Sequence, residues 1–149
     1  MVDKFKHKME VKVRFNEVDL LGVVNNAVYV SFFEEARIEY TKVVGLMPDN
    51  GIFSDGMLYF IVKNEINYRS HARYGDELII YSKISYIKNT SFGFDHLVVK
   101  KNTNELIADG KGVIVYVDPE THKSTNLPDS FYKSVKLYEP EVKILKNKK

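Results

Sequence analysis

One stretch decides the fold: residues 19–44, which read DLLGVVNNAVYVSFFEEARIEYTKVV. From Tyr29 onward its apolar residues recur at steps of three or four, which is the spacing of an amphipathic helix. Gly45 and Pro48 follow, and both residue types end helices. We therefore predict one long helix of about twenty residues, with its apolar stripe turned toward a core.

A short loop precedes this helix and carries an acidic residue, Asp19. Residues 9–15, before the loop, alternate between apolar and polar side chains, which predicts a half-buried strand with Phe15 on its apolar face. Asn25 or Asn26 is the predicted N-cap of the helix. The first N–H groups of a helix have no intrahelical acceptor and favour negative charge. A carboxylate beside such amides is the pairing that hydrolysis of an activated acyl group requires.

The rest of the chain has the pattern of β structure. Four segments rich in β-branched and aromatic residues are separated by tight turns. These segments are residues 59–69, 78–87, 92–98 and 106–117. A short helical stretch is predicted from about residue 127, and we expect the last ten residues of the chain to fray.

This order of elements predicts an α+β fold: one long helix wrapped by a five-stranded antiparallel sheet. The 149 residues suit a single domain, residues 1–149. One helix covers only part of one face of such a sheet. The sheet edges and the remaining apolar surface therefore favour association with a second copy of the chain.

Composition argues against several classes of function. The chain has no cysteine, which excludes disulfides, thiolate nucleophiles and cysteine-bound zinc. Its four histidines lack metal-ligand spacing, so we expect no metal site. A net charge of +2 is too small to indicate a nucleic-acid partner. Without the pattern of a signal peptide or a membrane span, we expect a cytoplasmic protein.

The motif around the loop resembles that of a known family. Residues 13–19 (VRFNEVD), followed by residues 22–26 (GVVNN) and 33–37 (FEEAR), closely resemble the 4-hydroxybenzoyl-CoA thioesterase family of hotdog-fold proteins. Residues 67–78 and the strands up to residue 117 extend the likeness over nearly the whole domain. The resemblance implies a hotdog fold, acyl-CoA thioesterase activity, and assembly as a homodimer or homotetramer.

The resemblance also implies roles for individual residues. Asp19 matches the family's catalytic aspartate, which either attacks the thioester carbonyl or activates water as a general base. Asn26 matches the position at the start of the helix whose backbone N–H polarises that carbonyl. The expected substrate-binding residues fall into three groups: Gly22, Val24 and Tyr29 beside the loop, Arg69, Arg73 and Lys88 as cations for the phosphates of coenzyme A, and Thr90 and Ser91 for its pantetheine arm.

Two positions depart from the family's pattern. Val23 stands where many relatives carry histidine, and Asn26 stands where another branch does, so the acyl preference of those relatives is not transferred.

Farther along the helix, Glu34 and Arg37 are three residues apart, which predicts an ordinary surface ion pair.

Three hypotheses of function follow. The leading one is an acyl-CoA thioesterase that needs no cofactor beyond the coenzyme A of its substrate, with an acyl carrier protein as a further partner. The second is a hydratase or dehydratase, which needs a histidine converging on the acid; no histidine lies within eleven residues of Asp19. The third is a non-catalytic module that binds acyl-CoA or acyl carrier protein. The enzymatic hypotheses require the Asp19 carboxylate to face a cavity rather than bulk solvent.

Overall fold

The structure is a computed structural model that describes residues 1–46 and 56–146. Two 3-10 turns, Val2–Lys4 and Phe15–Glu17, accompany the regular elements. In chain order, those elements are β1 (His7–Lys12), α1 (Val28–Val44), β2 (Leu58–Tyr68), β3 (Glu77–Ile87), β4 (Ser91–Lys100), β5 (Leu106–Val117), α2 (Asp129–Tyr138) and β6 (Lys143–Ile144). Within the two described ranges, neither α-helix is long and apolar enough to cross a membrane.

The strands form one sheet in the order β1-β3-β4-β5-β2, with every neighbouring pair antiparallel. β1 and β2 are therefore the edges of this path. The predicted α+β fold of one long helix against an antiparallel sheet is confirmed, and its arrangement is that of the hotdog fold.

A sixth strand corrects the prediction for the end of the chain. β6 pairs in parallel with the end of β3, and the Leu145 N–H donates to the Ile87 carbonyl at 2.7 Å. Backbone hydrogen bonds therefore tie residues 143–145 to the sheet, within the stretch where fraying was expected. Residues 147–149, the remainder of the basic end, lie outside the described residues.

The long helix begins and ends as its sequence suggests, with one difference. Ala27, and not either asparagine, is the N-cap, and the Asn25 side chain accepts the Ala27 N–H at 2.9 Å. Gly45 ends the helix with a left-handed φ of 81°, a conformation that glycine adopts without steric cost. Pro48, the second predicted stop signal, lies outside the described residues.

The apolar stripe of α1 packs onto the sheet in two clusters. The first surrounds Phe33 near the start of the helix and includes Val13, Val24 and Ile80. The second surrounds Tyr40 near its end and reaches residues of α2. The first cluster connects the sheet to the Asp19 loop and so holds that loop in place.

The first strand is shorter than its alternation predicts. β1 ends at Lys12, and Phe15, expected on the apolar face, is 78% exposed in a 3-10 turn. The Glu17 carboxylate accepts the Arg14 N–H at 2.7 Å, which stabilises the turn and diverts the chain from the sheet. The turn thereby delivers the chain to the Asp19 loop.

Candidate active site

Backbone hydrogen bonds hold the Asp19 loop in a tight turn. The Asp19 N–H donates to the Val23 carbonyl at 2.9 Å, and the Gly22 N–H donates to the Asp19 carbonyl at 3.0 Å. Gly22 has a φ of +78°, a conformation that disfavours residues with a side chain. Val24 is buried, and its N–H donates to the Ala72 carbonyl at 2.9 Å. The loop is therefore fixed to the core at its far end.

The Asp19 carboxylate lies on the outside of this turn. Its Oδ1 accepts the Leu21 N–H at 2.8 Å, and the residue is exposed. That this carboxylate faces a cavity therefore stays a prediction. A cavity lies along the second half of α1, and none of its lining residues belongs to the loop.

Asn26, seven residues beyond Asp19 and two before the first residue of α1, presents a backbone amide. In the part of the chain that the structure describes, no group accepts a hydrogen bond from the Asn26 N–H. The Asn26 carbonyl accepts the hydroxyl of Tyr68, on the edge strand β2, at 3.1 Å. The 17-residue helix adds the positive end of its dipole. This region can therefore stabilise a negative charge.

Val24 and Tyr29, both predicted to contact substrate, are core residues in this chain. Tyr29 packs edge-on against Phe32 and Tyr68, with ring centroids 5.9 Å and 5.6 Å away. Burial raises the pKa of the Tyr29 phenol to about 12, while a hydrogen bond with the Ala72 backbone opposes this shift. The two side chains brace the loop and the helix against each other, and their contact with substrate stays a prediction.

The predicted cations divide between two ends of the sheet. Arg73 pairs with Val23 through an isolated β-bridge, which brings Arg73 to the Asp19 loop. Arg69 is near the same end, but its Nε lies 2.7 Å from Oδ2 of Asp109. The hydrogen bond to that carboxylate raises the pKa of Arg69. Arg73 is therefore better placed than Arg69 to meet an anionic ligand beside the loop.

Lys88, Thr90 and Ser91 lie at the opposite end of the sheet, in and beside the hairpin that joins β3 to β4. The 11 residues of β3 separate this hairpin from Arg73, a length of about 35 Å. Within a single chain Lys88 is therefore too far from Asp19 to share a site with it, and its contact with substrate stays a prediction. Only a second copy could bring Lys88 toward an Asp19 loop.

The edge strand β2 borders the Asp19 loop through Tyr68 and is open to solvent over most of its length. Its residues from Phe60 to Glu65 are all exposed, on both faces. Val62, for example, is 60% exposed, and the register with β5 shifts at this point. Such an edge is a surface on which another strand can pair.

Sequence reasoning missed the burial of Arg37. Instead of forming a surface ion pair with Glu34, Arg37 is 8% exposed, and no ion pair joins the two side chains among the described residues. Desolvation lowers the pKa of Arg37, and the nearby Glu34 charge opposes this shift. The signal was present in the sequence: Arg37 lies four residues after Phe33 and three before Tyr40, within the apolar stripe.

Two histidines are buried beneath the middle of α1. The Nδ1 of His96 lies 2.8 Å from the Ser82 hydroxyl, and its ring stacks on Phe33 with centroids 4.5 Å apart. Burial lowers the pKa of His96 to about 3, helped by the positive charge of Arg37. His7 pairs with Ser82 in the register of β1 and β3. Both histidines pack in the core beneath the helix rather than at the Asp19 loop.

A long helix wrapped by an antiparallel sheet is the arrangement of the hotdog fold, and it confirms the predicted fold. The chain belongs to the thioesterase-like superfamily, whose family model matches residues 13–135.

Relatives with known names agree with this assignment. The chain is 32% identical over 124 residues to the chloroplastic acyl-acyl carrier protein thioesterase ATL3 of Arabidopsis thaliana, which covers 83% of this chain. It spans 64% of the length of that plant relative, just under two thirds. It is also 30% identical over 120 residues to the acyl-CoA thioester hydrolase YbgC of Escherichia coli. That match covers 80% of this chain and 88% of YbgC.

A solved structure matches over most of the fold. It is a thioesterase from Thermus thermophilus complexed with coenzyme A and Zn, with a TM-score of 0.81 and 29% sequence identity. The match covers 93% of this chain and 97% of that one.

Proposed function

We propose that this protein hydrolyses the thioester of an acyl-CoA or an acyl-acyl carrier protein, releasing the free acid and the thiol. The observations that carry the proposal are an exposed Asp19 carboxylate and, seven residues later, an Asn26 N–H that has no acceptor among the described residues. Membership of the thioesterase-like superfamily supports it, as do the activities named for the plant and bacterial relatives.

In the proposed mechanism, the thioester carbonyl lies between the carboxylate and the amide. The Leu21 N–H holds one carboxylate oxygen of Asp19, so that the other is directed at the substrate. Asp19 then either attacks the carbonyl carbon, expelling the thiolate and forming a mixed anhydride that water hydrolyses, or removes a proton from the attacking water. Both routes place negative charge on the carbonyl oxygen.

The Asn26 N–H is the proposed donor to that oxyanion. Loss of one such donor costs about 3 kcal/mol of transition-state stabilisation in other hydrolases. The dipole of α1 acts in the same direction. Because any residue except proline supplies a backbone N–H, the role does not depend on the asparagine side chain.

We further propose that a second copy of the chain completes the site. In a single chain the Asp19 carboxylate faces solvent, and a thioester there would be hydrated on its open side. The edge strand β2 borders the loop through Tyr68, and farther along it Phe60, Ile61 and Val62 are exposed apolar residues. Pairing of two β2 edges would bury these residues and build a wall over the loop. It would also offer a second chain's cations to the substrate.

The substrate class follows the resemblance of the loop motif to the 4-hydroxybenzoyl-CoA thioesterase family. Coenzyme A carries several phosphates, and Arg73 is the cation placed beside the loop to meet them. We propose acyl-CoA as the first substrate to test and acyl-acyl carrier protein as the second.

Release of free thiol from a panel of thioesters tests the proposal. The panel holds short, long and aromatic acyl-CoAs and the same acyl groups on acyl carrier protein, and the mass of the protein in solution is measured in parallel. We expect steady thiol release from at least one acyl class and a mass above that of one chain. Tight binding across the panel without thiol release would instead indicate a non-catalytic binding module.

A further inference from the structure

A cavity of about 360 Å³ lies between the second half of α1 and the sheet. Its wall on the helix side includes Arg37, Ile38 and Thr41, and aromatic rings from β4 and α2 close much of the rest. The Asp19 loop contributes nothing to it. The volume lies within the range of roughly 300–1,000 Å³ that is typical of sites for small molecules. Mostly apolar walls with a few polar or charged groups are also typical of such sites.

Two charged residues line this cavity: Glu34, which is exposed, and Arg37, which is buried and lacks a partner in the part of the chain that the structure describes. Arg37 is more than nine-tenths buried, and its Nη1 has no hydrogen-bond acceptor there. Buried guanidinium groups are normally paired with an anion, since burial without one is costly. The one acid close enough to influence Arg37 is Glu34, an exposed residue that forms no ion pair with it. The described residues thus hold a cation in an apolar wall without its counter-ion.

The sheet leaves room opposite the guanidinium. A Cβ placed on Gly112 of β5 would lie 3.5 Å from Nη1 of Arg37 and 3.2 Å from Cδ1 of Ile61. The same point is 3.7 Å from Oδ1 of Asn64. A methyl group at residue 112 would touch the guanidinium at an ordinary van der Waals distance and press on the end of the Ile61 side chain. Glycine leaves this space beside Arg37 unfilled.

The chemistry of the missing partner follows from these contacts. An arginine fork pairs best with a planar carboxylate, which accepts two parallel N–H bonds. The aromatic and aliphatic walls favour an apolar body next to that carboxylate. A phosphate-rich ligand fits poorly, because Arg37 is the only cation among the described residues that line the cavity.

We propose that this cavity binds an amphipathic carboxylate, with its carboxylate on Arg37 and its apolar body against Phe92, Phe94 and Phe131. The site is distinct from the Asp19 loop. Arg37 lies eleven residues beyond Asn26, about 16 Å along the helix. A free carboxylic acid reaches Arg37 without spanning that distance, so a free acid is the ligand that the geometry favours.

Calorimetric titration of the full-length protein with octanoate and with octanamide tests the site. The two probes share an alkyl chain and differ in charge. We expect octanoate to bind at least tenfold more tightly than octanamide. Equal affinities, or no binding of octanoate, would overturn the proposal; the second result is expected if a carboxylate from a second copy already occupies the guanidinium.

Two variants on the same helix assign the preference to Arg37. Arg37→Met keeps an apolar stem and removes the charge, and we expect it to bind the two probes equally. Lys42→Met removes an exposed cation and should keep the preference for octanoate. If Arg37→Met retains that preference, the proposal fails. Should Arg37→Met not fold, the Nε–H resonance of Arg37 in wild-type protein gives a second readout, because it must shift with octanoate and stay fixed with octanamide.

A last comparison identifies the source of the carboxylate, and it alone rests on the proposed function. Dodecanedioyl-CoA carries a second carboxylate at the far end of its acyl chain, whereas dodecanoyl-CoA does not. If the substrate supplies the anion, Arg37→Met lowers kcat/KM for the first and spares the second. If a free acid supplies the carboxylate, Arg37→Met changes kcat/KM for the two thioesters by the same factor. The octanoate titration contains no thioester, so its failure is distinguishable from a failure of the hydrolase proposal.

Discussion

Two loops of this molecule hold an aspartate in almost the same way. Oδ1 of Asp19 accepts the Leu21 N–H at 2.8 Å, and Oδ1 of Asp118, after β5, accepts the Glu120 N–H at 2.8 Å. Each loop also closes through a backbone hydrogen bond from the N–H of its aspartate, at 2.9 Å and 3.0 Å respectively. The local geometry of an aspartate in such a turn is therefore common, and by itself it does not identify a catalytic group.

The two loops differ seven residues after each aspartate. The N–H of Asn26 has no acceptor in the ranges that the structure describes, whereas the N–H of Thr125 donates to the Tyr116 carbonyl at 2.9 Å. The 17-residue helix α1 begins two residues after Asn26, whereas the 10-residue helix α2 begins four residues after Thr125. A negative charge that develops beside Asp19 can be stabilised by a free amide and a helix dipole. The candidate site is thus a property of the loop and the helix together.

Matched substitutions of the two aspartates give the largest expected difference. Asn keeps the oxygen that accepts the N–H two residues later, so both loops should remain folded. We expect Asp19→Asn to lower kcat for thiol release by about 10²–10⁴-fold, the range for loss of a general base. Asp118→Asn should stay within about twofold of wild type, since no reacting group is proposed there. Similar losses in the two variants would remove the distinction between the loops.

Substitution of Asn26 tests the free amide. Asn26→Pro removes the N–H, and Asn26→Ala keeps it while deleting the side chain. We expect the proline variant to lose about 10²-fold in kcat, the effect of one oxyanion donor, and the alanine variant to change little. The measurement is steady-state thiol release, with thermal unfolding to confirm that both variants fold. A proline variant with wild-type kcat would show that this amide takes no part in the reaction.

A charge on the open edge tests the second copy. Val62→Lys places a cation on β2, and two such charges face each other if two β2 edges pair. We expect association to weaken by roughly 2 kcal/mol, about thirtyfold, with activity lost in parallel. Sedimentation equilibrium and thiol release at matched concentrations measure the two effects. Leu137→Lys, at a residue of α2 that is 85% exposed, serves as the control and should change neither.

The smallest expected effect concerns the backbone of the two loops. Gly22 has a φ of +78°, and His122 in the Asp118 loop has a φ of +58°. We expect Gly22→Ala to destabilise the protein by about 1 kcal/mol, because a Cβ is strained in this conformation. His122→Gly should have the opposite sign. Urea unfolding measures the change in stability of both variants. If His122→Gly destabilises the protein, the two loops do not share this backbone strain.

Much of the fold could be predicted because its pattern is local. The stripe from Tyr29 to Val44 defines α1, and the alternation of residues 106–117 gives β5 its observed bounds. A strand of only two residues could not be predicted from its pattern: β6, Lys143–Ile144, depends on the end of β3 that β1 leaves unpaired. The exposure of Phe15 depends likewise on the 3-10 turn that follows β1, which alternation does not reveal.

Less of the candidate site could be predicted, because it depends on contacts between distant segments. The sequence places Asp19 and Asn26 correctly beside the start of α1, since both lie in one continuous motif. It could not show that Lys88 is separated from them by the length of β3. For Arg37, the i,i+3 spacing to Glu34 favoured a surface ion pair, whereas its place within the apolar stripe was the signal for its burial.

The most direct test of the central claim measures the chemical step alone. An excess of Asp19→Asn protein is mixed with a radiolabelled acyl-CoA from the active class, and the mixture is quenched and analysed for free acid. The account predicts that the acyl-CoA remains bound to the protein with its thioester intact for at least about a hundred times the half-life seen with wild type. Release of free acid at the wild-type rate would contradict it and would remove Asp19 from the chemistry.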